Sequence, residues 1–284
     1  MNIKDIILAI FVAFIWGGYI AISKSALNSF PPLLLGGLRF FIVFIITSPF
    51  IFKAKIPKIQ ITILSVILFL NLLILHHAIK TSNTLMPLIF LNELAVPFSA
   101  LLGILFLKEK FMLKDGIGIF IAIIGSTFIA KECINNFSFE NSTILIIIAS
   151  LICAFYNLLA KKIAHYNIFS ILSQLSLLTA VQFFIASYFQ EDLPLIENIH
   201  IHSIYSLIYL SVICSVVGFY IWFYLLNKYP LGKVTPFILL SPIFGCIMTM
   251  LVFNEPIDPQ IIPSGLLIIL GVAIIELQND RKKL

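Results

Sequence analysis

The sequence predicts an all-α integral membrane protein whose ten transmembrane helices form two inverted repeats of five helices each. Hydrophobic residues make up 61% of the 284 residues and charged residues only 11%, whereas soluble domains carry about 45–50% apolar and about 25% charged residues. The apolar runs are continuous rather than alternating, which favours helices over a β-barrel. Parts of the two halves also resemble each other, and this similarity predicts the repeats.

Ten apolar segments account for most of the chain. The first segment, Ile6 to Ile22, lacks a small-residue cleavage site, so we expect an uncleaved first span rather than a signal peptide. The connecting pieces are short, and none is long enough to form a separate soluble domain. The ten predicted spans cover about residues 5–23, 33–52, 59–79, 84–106, 115–130, 142–160, 168–189, 203–226, 233–253 and 260–277.

The distribution of Lys and Arg predicts that both chain ends face the cytoplasm of a bacterial-type inner membrane. With the N-terminus inside, most basic residues fall in inner loops, as the positive-inside rule requires. The net charge of +5 therefore follows topology and does not indicate nucleic acid. The outer loops would carry Lys24, Lys80 and Lys131. The inner side would carry Lys4, Lys53, Lys55, Lys58, Lys108, Lys110, Lys114, Lys161, Lys162, Lys228, Lys233, Arg281, Lys282 and Lys283.

An internal similarity divides the chain into two repeats. The stretch "LGILFLKEKFMLKDGIGIFIAIIGS" parallels "MTMLVFNEPIDPQIIPSGLLIILGV", which aligns Glu109 with Glu255 and Gly125 with Gly271. The repetition of the glutamate favours a structural role at helix ends. We predict a first repeat over residues 1–130, an outer loop over 131–141, a second repeat over 142–277 and a cytoplasmic tail over 278–284.

Prolines occur at corresponding places in the two repeats. Pro87 and Pro97 lie in the fourth predicted span, and Pro236 and Pro242 lie in the ninth. Because each repeat has an odd number of spans, the two repeats cross the membrane in opposite senses. Inverted repeats with interrupted helices are typical of secondary transporters. Proline removes a backbone hydrogen bond, and a polar cavity can satisfy the freed carbonyl.

The stretch "LLLGGLRFFIVFII" places the charge of Arg39 within a membrane span. A charge at mid-membrane costs between about 2.5 and 17 kcal/mol, so it is expected to face a cavity and to pair. At 1.5 Å per residue, Arg39 lies roughly 9 Å from the outer end of its span, Asn71 roughly 12 Å and Glu93 roughly 13 Å. These depths allow an Arg39–Glu93 pair, with Asn71 within range of either.

Two interpretations of Arg39 and Glu93 remain open. In the first, Arg39 binds a substrate carboxylate through two hydrogen bonds, while Glu93 faces an amine or carries a coupled proton. In the second, the two residues form a structural ion pair that locks or gates the outer ends of spans two and four.

Further polar and aromatic residues at membrane depth are weaker candidates. Each could line a cavity or face a neighbouring helix, and the aromatic ones could also face lipid. Adjacent His76 and His77 point about 100° apart on a helix, so at most one can face a cavity. The remaining candidates are Trp16, Tyr19, Asn157, Gln174, Tyr220 and Trp222.

The stretches "AFIWGGYIAISKSAL", "PPLLLGGLRFF", "LGILFLKEKF" and "GLLIILGVAI" resemble the EamA family of the drug/metabolite transporter superfamily over essentially the whole chain. Within that family, "KDIILAIFVAFIWGG" and "SLIYLSVICSVVGFYIW" are most similar to the type that exports O-acetylserine and cysteine. Arg39 matches the family pattern, whereas Asn92 and Glu93 depart from it. The resemblance therefore implies a transporter in which Glu93 is adapted to this protein's own substrate.

The resulting expectation is a secondary transporter that exports small amino-acid-like metabolites by alternating access. Alternatives are uptake, transport of drugs or nucleotide-type metabolites, and, in a different class, a channel or a lipid-handling protein. The chain has no Walker motif for direct use of ATP, and it has neither HExxH nor a nucleophile elbow for an enzyme. Without CxxC spacing we expect no metal, and we expect no cofactor. The expected partners are substrate, lipid and a coupled proton, unless the substrate's own gradient drives transport; oligomeric state stays open.

Overall fold

The computed structural model describes residues 1–82, 85–109, 113–129, 141–192, 199–253 and 261–277. These residues are mainly helical and contain no β-strand, which confirms the all-α prediction for them. Several predictions concern residues outside the described ranges: Cys133, Lys110, Lys131, Glu255, Arg281, Lys282 and Lys283, together with most of the predicted outer loop and the tail.

The helices follow one another in the order that the apolar segments predict. In chain order they are α1 (Ile3–Gly17), α2 (Tyr19–Leu27), α3 (Pro32–Thr47), α4 (Lys58–Thr81), α5 (Met86–Asn92), α6 (Ala95–Leu107), α7 (Leu113–Ile129), α8 (Asn141–Ile163), α9 (Ile168–Gln190), α10 (Ile201–Ile208), α11 (Gly218–Lys228), α12 (Leu231–Val234), α13 (Ser241–Phe253) and α14 (Ile261–Leu277). A π-helix, Tyr209–Val217, joins α10 to α11, and short 3₁₀ helices cover Ser48–Phe50 and Thr235–Leu240.

Within the described residues, eight helical stretches are long and apolar enough to cross a membrane. This confirms a multi-span membrane protein but does not confirm the predicted number of ten spans. The two remaining apolar helices, α7 and α14, have 17 residues each and pack against each other. The eight stretches are Ile3–Leu27, Pro32–Phe50, Lys58–Thr81, Leu88–Leu107, Asn141–Ile163, Ile168–Gln190, Ile201–Lys228 and Leu231–Val252.

The side chains divide as a lipid solvent requires, with apolar groups on the outside. Large hydrophobic residues such as Phe14, Leu105 and Leu251 are exposed on the helix surfaces. Many buried hydroxyls bond to the carbonyl one turn earlier in their own helix, as Thr47 does to Val43 at 2.8 Å. Such bonds satisfy polar groups where no water is available. The polar groups therefore point into the protein, where they can line a cavity.

The fourth and ninth predicted spans are both interrupted. Helix α5 ends at Asn92 and α6 begins at Ala95. Pro97 has no N–H to donate to the carbonyl of Glu93, and that carbonyl instead accepts from Val96 N at 2.9 Å. The interruption places Glu93 at the junction of two helices.

The corresponding interruption in the second half is the 3₁₀ helix Thr235–Leu240. Pro236 is the second residue of this 3₁₀ helix, and Pro242 lies in the first turn of α13. In the first half, Pro87 lies in the first turn of α5. The interrupted segments of the two halves meet α1 and α8 near the centre of the molecule.

Two glycines allow unusually close helix contacts. A Cβ atom on Gly271 of α14 would lie 2.4 Å from the carbonyl oxygen of Gly118 in α7. A Cβ atom on Gly17 would lie 2.7 Å from the carbonyl oxygen of Ser241 and 2.6 Å from Cβ of Phe244. Any larger residue at either position would force two backbones apart.

Candidate functional site

A cavity of about 130 Å³ lies between the two halves of the chain. Seven of the predicted site residues line it, and both halves of the chain contribute to its walls. The polar and aromatic residues of the lining are Trp16, Tyr19, Arg39, Asn71, Asn92, Glu93, Tyr156, Asn157, Phe219, Trp222, Thr235 and Ser241, and Cys153 also faces the cavity.

Arg39 is buried and is held by neutral groups. Its Nε donates to Ser215 Oγ at 2.8 Å, and its Nη1 donates to Tyr19 Oη at 3.0 Å. The guanidinium carbon lies 5.0 Å from the ring centre of Tyr19 and 5.2 Å from that of Phe40, within the range of cation–π attraction. Hydroxyls and aromatic rings therefore stabilise this charge.

Arg39 and Glu93 do not form the ion pair that their depths allowed. Both residues line the cavity, but Glu93 bonds to Ser241 and Arg39 bonds to Tyr19 and Ser215. Depth along the helix axes does not show the hydroxyl groups that bond to Arg39 and to Oε1 of Glu93.

A hydrogen-bonded chain continues from Arg39 to His76. Tyr19 Oη lies 2.8 Å from His76 Nε2, and His76 Nδ1 lies 3.2 Å from the carbonyl oxygen of Pro32. Because that carbonyl can only accept, Nδ1 is the protonated nitrogen, and Nε2 can accept from the tyrosine hydroxyl. His76 is fully buried while His77 is exposed, in agreement with the expectation that only one of them faces inward.

The π-helix supplies two of the contacts around the cavity. A π-helix shifts the backbone hydrogen bonds by one residue, a distortion that is frequent at functional sites. Ser215 Oγ donates to the carbonyl of Leu210 at 2.8 Å while accepting from Arg39. The carbonyl of Cys214 accepts from Trp16 Nε1 at 3.0 Å.

Glu93 is only partly satisfied. Its Oε1 accepts from the hydroxyl of Ser241, which belongs to the other half of the chain. Its Oε2 is buried and has no hydrogen-bond partner, and the same is true of the hydroxyl of Tyr156. The site thus contains a buried acid and a buried phenol with unused bonding capacity.

Asn71 and Asn157 line the cavity and also tie helices together. Asn71 Nδ2 donates to the carbonyl of Ala149 in α8 at 2.7 Å. Asn157 Nδ2 donates to Ser99 Oγ at 3.1 Å, and its Oδ1 accepts from Trp222 Nε1 at 3.1 Å. These hydrogen bonds fix the orientation of each amide at the cavity wall.

Two of the predicted candidates, Gln174 and Tyr220, lie away from the cavity. Gln174 Nε2 donates to the carbonyls of Ile51 and Ala54 at 2.8 Å and 3.2 Å, so it holds a connecting segment between α3 and α4. Tyr220 is 38% exposed and packs on Phe169 with 5.0 Å between ring centres. Residue type and depth did not reveal which side of each helix faces inward.

Sequence reasoning did not single out Ser215, Ser241 or Tyr156 as site residues, and it gave too little weight to His76. Serine is common in these spans, and buried serines usually bond to their own helix. The proline at position 242 was the available signal for Ser241, because a helix that restarts beside a cavity exposes its first residues.

A second polar cluster lies at the end of α1 that was predicted to be cytoplasmic. Asp5 is buried, and its carboxylate accepts from Lys228 Nζ at 2.7 Å, from Tyr229 Oη at 2.5 Å and from Tyr224 Oη at 3.2 Å. Because Asp5 belongs to the first half and the other three residues to the second, the cluster joins the two halves at this end of the molecule.

Glu109 contacts a helix end, as its repeated position suggested. Its carboxylate accepts from the backbone N–H of Leu231 at 2.9 Å and from that of Gly232 at 3.3 Å. This cap lies outside the cavity. Within the described residues, no group of His, Cys, Asp and Glu is arranged to hold a metal ion.

A multi-span helical fold with an internal cavity lined by both halves of the chain is typical of membrane transporters. A solved crystal structure matches with a TM-score of 0.82 over 100% of both chains at 14% identity, which establishes similarity of fold. The sequence matches the EamA-like transporter family at residues 3–131 and again at residues 141–277. The chain therefore belongs to the EamA-like transporter family.

Relatives that match this chain over almost their whole length occur in bacteria and archaea. Proteins of Salmonella typhimurium and Escherichia coli, each described as a probable amino-acid metabolite efflux pump, are 28% identical over 96% of this chain and 95% of their own length. An uncharacterized transporter of Archaeoglobus fulgidus is 23% identical over 96% of this chain and 98% of its own length. The family and these relatives indicate a membrane transporter rather than an enzyme.

Proposed function

We propose that this protein exports small amino-acid-like metabolites by alternating access, with the central cavity as the substrate site. The observation that carries the proposal is that one cavity holds a cation, Arg39, and an acid, Glu93, that do not neutralise each other. A zwitterionic α-amino acid carries the complementary pair of charges. The relatives described as amino-acid metabolite efflux pumps support the same substrate class and the outward direction.

Arg39 would receive the substrate carboxylate. A guanidinium has five N–H donors, and two of the donors of Arg39 are occupied by Ser215 and Tyr19. The remaining donors can bind a carboxylate in the planar two-bond geometry for which arginine is suited. Glu93 Oε2 would lie toward the amine. This arrangement keeps the first interpretation of the two residues and gives the gating role to other contacts.

Alternating access would use ten spans in two inverted five-helix repeats, over residues 1–130 and 142–277. The packing pattern supports this symmetry. If each span of one repeat is exchanged with the equivalent span of the other repeat, the contact between α4 and α8 becomes the contact between α1 and α11. In the same way, the contact between α6 and α8 becomes the contact between α1 and α13. The contacts α3–α9 and α7–α14 map onto themselves. Two such halves can exchange conformations across the membrane.

We further propose that both termini lie in the cytoplasm of an inner membrane, as the excess of Lys and Arg in the inner loops indicates. Tags at the two ends should be protected from protease in intact spheroplasts and cleaved after lysis. Cleavage of either tag in intact spheroplasts would contradict this orientation.

Counterflow in proteoliposomes tests the proposed function. Vesicles loaded with unlabelled L-cysteine, O-acetyl-L-serine or another L-amino acid should accumulate the labelled form, and the initial rate should saturate. Arg39→Lys should lower the rate by about tenfold or more, because an ammonium cannot reproduce the two-bond geometry. A rate that rises linearly with concentration would indicate a channel, and absence of exchange for every amino acid would contradict the substrate class.

A further inference from the structure

Two buried polar atoms in the cavity lack hydrogen-bond partners. They are Oε2 of Glu93 and the phenolic oxygen of Tyr156. Both side chains line the cavity, with exposed fractions of 3% and 4%. Unsatisfied buried polar atoms are rare in folded proteins because each is costly. Two of them at one cavity point to a polar ligand that would bond to both.

The surroundings of these atoms favour a cationic ligand group. Trp16 and Trp222 lie with their ring centres 5.2 Å apart, Phe219 lies 5.8 Å from Trp16, and Tyr156 lies 6.1 Å from Phe219. Aromatic faces attract ammonium groups, and Glu93 supplies an acidic oxygen. An ammonium can also donate to the phenolic oxygen of Tyr156, since it carries three donors.

No cation balances Glu93 within the described part of the chain. The charged and titratable groups that line the same cavity are Arg39, Tyr19, Cys153 and Tyr156. Arg39 is bonded to Tyr19 and Ser215, His76 faces Tyr19 from α4, and Ser241 of α13 offers Glu93 only a neutral hydroxyl. An isolated carboxylate is strongly disfavoured in a buried site. A proton therefore neutralises Glu93 when the cavity is empty.

We propose that Glu93 and Tyr156 form the subsite for the substrate's ammonium group, and that this group displaces a proton from Glu93 so that substrate and proton exchange across the membrane. The inference rests on the proposed export function and specifies its energy source. Proton and ammonium compete for one carboxylate, so the site carries one or the other but not both.

The exchange balances in atoms and charge. As the ammonium enters from the cytoplasm, the O–H bond of Glu93 breaks, the proton leaves to water on the same side, and the carboxylate accepts N–H bonds from the substrate. On the outer side a proton re-forms the O–H bond as the substrate leaves. One proton thus moves inward for each substrate that moves outward. For a zwitterion this carries one positive charge inward, in the direction that a negative membrane interior favours.

Proton release by the purified full-length protein tests this exchange directly. The protein is placed in detergent with a pH-indicator dye and little buffer, and three probes are compared. L-Alaninamide carries the ammonium alone, L-lactate carries the carboxylate alone, and L-alanine carries both. We expect L-alaninamide and L-alanine to release about one proton per protein molecule, and L-lactate to release none. Glu93→Gln should abolish the release, whereas Glu109→Gln, which removes a carboxylate outside the cavity, should preserve it.

Ligand binding can be followed separately through Cys153, which faces the cavity. The measurement uses a Cys133→Ser background, and Cys214 and Cys246 are buried, so the signal comes from Cys153. The rate at which a small thiol reagent modifies Cys153 should fall when L-alaninamide is present. Tyr156→Phe should weaken this protection by about tenfold, because one hydrogen bond to the ammonium is lost, yet proton release at saturation should remain. Protection without proton release would overturn the exchange, and the absence of both would overturn the ammonium subsite.

A wild-type measurement keeps the inference testable if Glu93→Gln does not fold. Where a proton competes with the ammonium, protection of Cys153 by L-alaninamide should weaken by about tenfold per unit of falling pH. Protection that stays constant between about pH 5 and 9 would overturn the proposal. Counterflow without proton release would leave the export function standing and reject only the exchange. Proton release without amino-acid counterflow would support the ammonium subsite but reject the export function and, with it, the exchange across the membrane.

Discussion

At the scale of single residues, Arg39 shows how a buried charge can be stabilised without an ion pair. Ser215 and Tyr19 accept its N–H groups, and two aromatic rings lie near its guanidinium. The charge thus stays available to a ligand, because no carboxylate neutralises it. In a structural ion pair with Glu93, the guanidinium and the carboxylate would bind each other and could not bind the proposed substrate.

Tyr19→Phe should impair transport because it removes the hydroxyl that links Arg39 to His76. Loss of one buried hydrogen-bonding group costs about 1–3 kcal/mol, which corresponds to roughly a fivefold or greater fall in the counterflow rate at low substrate concentration. Tyr220→Phe removes the same atom at a half-exposed position on the helix surface and serves as the control. Equal rates for the two variants would mean that orientation of Arg39 does not limit transport.

Gln174→Ala and Asn157→Ala should have different effects although both remove a carboxamide. Gln174 holds the carbonyls of Ile51 and Ala54, so its loss should lower the free energy of unfolding by about 1–2 kcal/mol and leave the KM for counterflow unchanged. Asn157 lies at the cavity wall, and its loss should raise KM. Thermal unfolding in detergent and counterflow kinetics measure the two effects, and a raised KM for Gln174→Ala would contradict the assignment.

At the scale of elements, α7 and α14 approach each other closely. Gly271 meets the backbone of Gly118 and of Ala122, so the two helices touch without intervening side chains. An offset of 146 residues aligns Gly125 with Gly271 and Gly118 with Ser264, so small residues occur at corresponding positions of both helices. The sequence aligns these small residues, and the structure identifies the helix that Gly271 contacts.

Gly271→Ala should destabilise the protein strongly, because its Cβ would lie 2.4 Å from a backbone oxygen and 2.7 Å from a backbone nitrogen. We expect a loss of about 3 kcal/mol or more in unfolding free energy, seen as a lower midpoint of thermal unfolding or as aggregated protein.

Gly265→Ala in the same helix is the matched control. Its nearest neighbours are side-chain carbons of Ile243 at 3.5 Å and 3.7 Å, an ordinary contact, so removal of a helix glycine should be neutral or slightly stabilising. Similar behaviour of the two variants would mean that the α7–α14 contact is not rigid.

At the scale of the whole molecule, the two halves are joined on either side of the cavity by different chemistry. Asp5 bonds to Lys228, Tyr224 and Tyr229 at the end that was predicted to be cytoplasmic. At the other end, Ser29 Oγ donates to Ser203 Oγ at 2.9 Å, and the carboxylate of Glu191 accepts from the backbone N–H groups of Leu33 and Leu34 at 2.8 Å each. Alternating access requires contacts of this kind to break in turn.

Asp5→Asn should weaken the contact between the two halves at the end that was predicted to be cytoplasmic, because it removes the charge that binds three donors. We expect Cys153 to react faster with a membrane-impermeant thiol reagent applied from the cytoplasmic side of inverted vesicles. Lys4→Gln, which changes an exposed neighbouring charge, should react like the wild type. An unchanged rate for Asp5→Asn would show that the cluster does not restrict access to the cavity.

The sequence by itself determined that this chain is a helical membrane protein of the EamA-like family, and it located most of the polar residues that reach the cavity. Apolar runs, loop charges and internal similarity are properties of the sequence, so they can be recognised without a structure. Trp16, Tyr19, Asn71 and Asn157 were found in this way, because polar or amphipathic groups at membrane depth have few other places to lie.

Only the tertiary structure decided which of those groups touch. Depth along a helix is readable from residue number, whereas the direction of a side chain around the helix depends on packing, on the break at Glu93 and on the π-helix. Arg39 therefore meets Ser215 and Tyr19 instead of Glu93, and Gln174 faces a loop instead of the cavity. The bond between Glu93 and Ser241 joins residues 148 positions apart, and no local pattern encodes such a contact.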